Sequence, residues 1–204
     1  MGCGTLTGDF ASFFAAHWTE IAGSLLGLVQ IWLLVRRSLW NFPLAMTSVA
    51  LIGVTLFETK FYSEAGLQGF FFVVNALGWY QWRQVQDQTH TVPVSWMTGP
   101  ARIRWAAITA VLSLSLGWVM QHLTNAALPF ADSAVAGASV AAQLLLNARR
   151  IENWVLWVAI DVVSIGLFLY RDLNFLAGLY LVFLVMSVIG LRQWAAAQQS
   201  GPAA

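Results

Sequence analysis

Charged side chains are scarce in this sequence. Lys, Arg, Asp and Glu make up 9% of its 204 residues, against about 25% in a soluble domain. Such a chain cannot cover its own surface with groups that water favours, so lipid is the solvent it fits. Cysteine is nearly absent: the one thiol, Cys3, permits no internal disulfide. Lysine occurs once, as Lys60, in a turn. A retinal protein needs a lysine in its last helix for the Schiff base, which sets that class aside. The three histidines, His17, His90 and His122, lie in or near polar segments. None joins a Cys, Asp or Glu cluster at metal spacing. No metal, no cofactor and no enzymatic centre are expected. A net charge of +1 leaves no footprint for nucleic acid. The start, Met1 to Leu6, lacks the Ser or Thr at position six that myristoylation needs. It also lacks the basic region and cleavage site of a signal peptide.

Apolar residues are what the chain has in quantity. They reach 59%, with 11 Trp and 13 Phe and a mean hydropathy of +0.69. Seven apolar runs, roughly 18–35, 40–57, 67–82, 103–120, 133–148, 153–170 and 175–194, hold close to the ~20 residues a bilayer needs. The expected fold class is therefore an all-α integral membrane protein with seven transmembrane helices. Residues 1–17 are expected outside, with Phe10, Phe13 and Phe14 as a short interfacial helix. Residues 83–100 read as a polar linker and 101–122 as a connecting helix. Residues 195–204 form a tail. Alternating the loops gives one side Arg36, Arg37, Arg83, Arg102, Arg104, Arg149, Arg150 and Arg192, and the other only Lys60 and Arg171. Cytoplasmic loops carry the excess, which places the N-terminus outside and the C-terminus in the cytoplasm.

The chain also repeats itself. A shift of 113 aligns Gln30 with Gln143 and Arg36-Arg37 with Arg149-Arg150. With one gap the shift becomes 112, and Gly78, Gln81 and Trp82 fall on Gly190, Gln193 and Trp194. Two three-helix units, 18–82 and 133–194, joined through one helix would share one orientation. Parallel repeats of this kind are a transporter architecture, with the substrate site near midplane between them.

The stretch from Gln143 to Asp161 concentrates the polar chemistry. Gln143 and Asn147 sit four apart before the basic turn; Trp154, Trp157 and Asp161 follow at i, i+3 and i+7. On helices each set shares a face. Asp161 lies about 11 residues past the turn, roughly 16 Å deep. A carboxylate there costs at least ~2.5 kcal/mol, so it should face a cavity or a partner. An aromatic face with a carboxylate suits a flat cationic ring. Gln143 and Asn147 suit hydroxyls or an amide, or else clamp two helices together. Near the basic end Trp154 and Trp157 would also serve as interfacial anchors, but their alignment with Asp161 favours a cavity wall. In the first copy the shift of 113 sets Asn41, Leu44 and Ser48 against Trp154, Trp157 and Asp161. The third span adds Gln68, Phe72 and Asn75, and the seventh Tyr180, Phe183 and Ser187. The candidate substrate site is thus Trp154, Trp157, Asp161, Gln143, Asn147, Asn75, Phe72, Gln68, Asn41, Ser48 and Tyr180. Binding without transport, in a receptor or scaffold, would use the same pocket.

At RRIENWVLWVAIDVVSIGLFLY and VIGLRQW the chain resembles the PnuC family of nicotinamide riboside transporters. The resemblance runs from Gln30 to Trp194 and includes the family's Trp-x-x-Trp, here Trp154 and Trp157. It implies a 3+1+3 helix arrangement similar to the SWEET sugar transporters. It implies inward facilitated diffusion of nicotinamide riboside across the bacterial inner membrane, with cytoplasmic phosphorylation trapping this NAD precursor. Family relatives for thiamine or deoxyribonucleosides are the alternatives, as is a proton symporter using Asp161. The expected partners are the riboside and membrane lipid; a homo-oligomer is compatible with the sequence.

Overall fold

The computed structural model describes residues 22, 25–58, 62–123 and 128–199. The segment around Phe10 and the turn lysine, Lys60, lie outside them. The described part of α1 is Leu25–Val35. It is followed by α2 (Asn41–Glu58), α3 (Tyr62–Thr89), α4 (Gly99–Leu123), α5 (Pro129–Asn147), α6 (Glu152–Tyr170) and α7 (Asn174–Gln199). Helices α2, α4, α5, α6 and α7 are each long and apolar enough to cross a membrane. Helix α3 has 28 residues, about 42 Å at 1.5 Å per residue, more than the ~30 Å of hydrocarbon. A helix of that length crossing the bilayer projects beyond its apolar layer. This corrects the expected linker: residues 83–89 are helical, and only 90–98 are not. Gln and Arg favour helix, so the polarity that starts at Arg83 marks the exit from lipid rather than the end of the helix.

Three helices end in the same way. Arg37, Arg149 and Asp172 adopt left-handed φ angles of 57°, 58° and 57°. Behind them the turns close with paired backbone bonds, as in Arg149 N–H to Leu146 O and Arg150 N–H to Leu145 O, each 2.8 Å. This is the Schellman arrangement that normally takes glycine. The turn at Arg37 repeats it through Leu34 O and Ser38 N–H to Leu33 O. Asn41 Nδ2 then donates to Ser38 O, and Asn153 Nδ2 to Arg150 O, each at 2.6 Å. The two turns thus match at a spacing of 112, Arg37 to Arg149. That register sets Asn41 against Asn153 and Phe42 against Trp154, one residue off the pairing of Asn41 with Trp154 expected from sequence.

Helix α2 packs on α3, α6 on α7, α5 on both α6 and α3, and α4 on α5. The α4–α5 approach is close: a Cβ on Gly137 would collide with Ser113, and one on Gly117 with Phe130. The core sits at the basic end. Trp82 and Trp194 touch across the middle, 5.9 Å between centroids. Phe42 stands edge-on to Trp82 and Trp154 edge-on to Trp194, at 86° and 87°. All four rings are fully or almost fully buried. Each central indole also crosses to the other half: Trp82 Nε1 donates to Asn147 O at 3.1 Å, and Trp194 Nε1 to Leu34 O at 3.4 Å.

Residues 90–98 strap this end. Val92 and Val94 join the core. Ser95 exchanges backbone bonds with Arg149 and Ile151, and Arg150 donates to its hydroxyl at 2.6 Å. Arg37 reaches Val92 O from the first half. Glu152 Oε1 accepts from Met97 N–H and from Arg102, at 2.8 and 2.7 Å.

The aromatic packing predicts a sharp contrast within α7. A Cβ on Gly190 would lie 2.6 Å from three ring atoms of Trp154, whereas Gly178 has nothing within 4 Å. Gly190→Ala should lower stability by about 1–3 kcal/mol, seen as a lower melting midpoint in detergent. Gly178→Ala should match or slightly exceed the parent. Equal midpoints for both variants would contradict this packing.

Candidate functional site

Above the aromatic core the helices part around a cavity of about 280 Å³. Helices α1, α2, α3, α5, α6 and α7 all contribute to its wall, and α4 does not. Its size is close to the lower bound of ~300 Å³ for small-molecule pockets. Most of the wall is apolar; the polar groups are few and placed.

The second half supplies the aromatic and charged side. Trp154, Trp157, Ile160 and Asp161 line the cavity from α6, and Tyr180, Phe183 and Ser187 from α7. Asp161 is 3% exposed, which a carboxylate tolerates only with partners. Ser187 Oγ supplies one, donating to Asp161 Oδ2 at 2.9 Å. Tyr180 stacks edge-on with both Phe168 and Phe183, which fixes its ring. Trp154 is 1% exposed, and its indole N–H has no partner among the described residues. A buried donor of this kind asks for an acceptor.

The amides form a chain. Gln143 Nε2 donates to Asn75 Oδ1 at 3.2 Å and lies 3.5 Å from Asn147 Oδ1. Asn147 Nδ2 donates to Val74 O at 2.8 Å. Gln143 and Asn75 line the cavity, while Asn147 stands behind them against α3. A Cβ on Gly78 would overlap Asn147, so α3 and α5 meet backbone to amide there. Asn147 is therefore placed as the interhelical clamp, not as a wall residue.

Of the other residues expected at the site, Ser48 lines the cavity and Asn41 does not. Asn41 is fully buried in the turn after α1, bonded to Ser38 O. Gln68 and Phe72 lie elsewhere, along an open groove between α2 and α3 floored by Gly53, Gly66 and Gly69. Helical spacing put them in line with Asn75, but the stripe turns away from the cavity over two turns of α3. Gln30 also lines the cavity, and the shift of 113 that aligns it with Gln143 is the sequence signal that points to it. Outside the membrane, burial and the adjacent Arg150 lower the pKa of Arg149, in keeping with a turn packed under the strap.

The profile of the family described as "Nicotinamide mononucleotide transporter" matches residues 17–196. The nicotinamide riboside transporter PnuC of Escherichia coli strain K12 is 28% identical over 209 residues, 90% of this chain and 87% of that one. The riboflavin/roseoflavin transporter RibM of Streptomyces davaonensis is also 28% identical, over 186 residues, 87% of this chain and 84% of that one. A crystal structure of the vitamin B3 transporter PnuC covers 94% of this chain and 88% of its own, with a TM-score of 0.74 and 22% identity. That likeness carries the fold.

The clamp is testable without a ligand. Asn147→Leu keeps the volume but removes the bond to Val74 O and leaves that carbonyl buried without its donor. The loss should be about 1–3 kcal/mol of stability, read as a lower melting midpoint. An unchanged midpoint would place Asn147 outside the load between α3 and α5.

Proposed function

This chain belongs to the nicotinamide mononucleotide transporter family, and from that premise we propose that it carries nicotinamide riboside across a bacterial inner membrane. The family is one of multi-pass membrane transporters, not of enzymes. The observation that carries the substrate is the single charged wall of the cavity. Trp157 and Asp161 lie one helical turn apart and both face the cavity. The nicotinamide ring of the riboside is a pyridinium cation, which an indole and a carboxylate both attract. Gln143, Asn75 and Gln30 offer amides to the carboxamide and ribose hydroxyls. The orphaned Trp154 N–H suits a bound oxygen.

The architecture proposed is 3+1+3: α1–α3 and α5–α7 as parallel units similar to those of SWEET transporters, with α4 as the joiner. Two observations support it. The turns after α1 and α5 share their bonds at a spacing of 112, and the rings of Phe42–Trp82 and Trp154–Trp194 meet at the same angle. Transport then consists of rocking the two units about the cavity, and the basic end opens only when Trp82 and Trp194 separate. That end, with Arg37, Arg102 and Arg150, faces the cytoplasm, and the N-terminus faces out. The site residues proposed are Trp154, Trp157, Asp161, Gln143, Asn75, Ser48 and Tyr180, with Gln30 added. The transport mode is uniport, and cytoplasmic phosphorylation removes the product.

Calorimetry on the detergent-purified protein should show nicotinamide riboside binding, and thiamine, a deoxyribonucleoside and riboflavin binding more weakly or not at all. Trp157→Ala and Asp161→Asn should each weaken the riboside by about tenfold or more while the protein stays folded, from an interaction of ~1–2 kcal/mol. Preferred binding of another member of that panel, or native affinity in both variants, would sink the reading. In sealed vesicles, riboside uptake should equilibrate and not concentrate under an imposed pH gradient. Concentrative uptake driven by that gradient would make the protein a proton symporter.

A further inference from the structure

The two halves share a framework around the cavity, but not its chemistry. At the spacing of 112 set by the turns, Trp154 corresponds to Phe42. Both are buried, and each stands edge-on to the tryptophan of its own half. Trp154 therefore has a counterpart. Trp157 has none. Three residues past Phe42 the first half carries Ala45, on the same turn of α2 that Trp157 occupies on α6. Ala45 and Trp157 both line the cavity. One turn further, Val49 lines it where Asp161 does on the other side.

From this broken pairing we infer that Ala45 is the residue that sets how large a ligand the cavity admits. A tryptophan side chain covers some 150–250 Å². A second indole facing Trp157 would sandwich a flat ring and fill the space beside it. With alanine there, only a methyl group projects from α2, and the volume an indole would take stays open. The aromatic cation lies against Trp157 and Asp161, and its bulky substituent, a sugar, projects toward Ala45. Ser48 on the same helix and Gln30 on α1 border that space with polar groups, which suits hydroxyls. The inference rests on the nicotinamide reading above and adds to it a division of labour. The second half recognises the ring, and the first half measures the substituent.

Two pyridinium probes of different size separate these roles: N-methylnicotinamide, which has only a methyl group on the ring nitrogen, and nicotinamide riboside. Both are titrated against the purified full chain and against Ala45→Phe. The ring of Ala45→Phe overfills the substituent side, so this variant should lose roughly tenfold or more in riboside affinity. N-methylnicotinamide should bind Ala45→Phe as it binds the parent. If the phenylalanine variant does not fold, Ala45→Val must show the same selective loss in smaller measure. Native riboside affinity in a folded Phe or Val variant overturns the inference, and so does equal weakening of both probes. A parent protein that binds neither probe defeats the nicotinamide reading itself. A parent that binds both, with indifferent Ala45 variants, defeats only the role of Ala45.

Discussion

The contact between Trp82 and Trp194 organises this molecule. Trp82 of α3 takes its edge-on partner, Phe42, from α2, and Trp194 of α7 takes Trp154 from α6; each sends its N–H across the middle, Trp82 to Asn147 O and Trp194 to Leu34 O. Apolar surface provides little drive between helices that already lie in lipid, so packing and hydrogen bonds must hold such a body together. Here both act at the same residues. Burying four large rings at one end also frees the helices to part above them. The cavity exists because the aromatic core closes one end and leaves the middle open.

The strap at residues 90–98 follows from that geometry. Helix α3 overshoots the apolar layer, so the chain must return to reach α4. It does so by adding Val92 and Val94 to the core and by bonding to the turn at Arg149 to Glu152. Two left-handed arginines, Arg37 and Arg149, sit at the matching turns. Glycine would hold those backbone angles at lower cost; at Arg37 the side chain adds a bond to Val92 O.

Much of this was legible in the sequence, and the reasons differ by feature. The membrane class follows from the shortage of charge alone. The basic turns and the Gly-Gln-Trp pattern near the ends of α3 and α7 suggest a repeat, because polar residues align by chance less often than apolar ones in such a chain. The register was harder. A run of apolar residues scores almost equally at 112 and 113, and only the backbone bonds of the two turns choose between them. That one-residue difference moves the partner of Trp157 from Leu44 to Ala45. Helical spacing likewise placed Gln68 and Phe72 in line with Asn75, since it states which residues share a face but not which neighbour that face meets. Asn147 could be read from sequence as a ligand or as a clamp; the backbone carbonyl of Val74, invisible in any pattern, decides its position.

Helix α4 packs along α5, and Arg102 near its start is tied to Glu152 at the start of α6. It is therefore tied to α5 and α6 at once. Under the proposed rocking of α1–α3 against α5–α7, α4 travels with the second group, and the motion sets four helices against three.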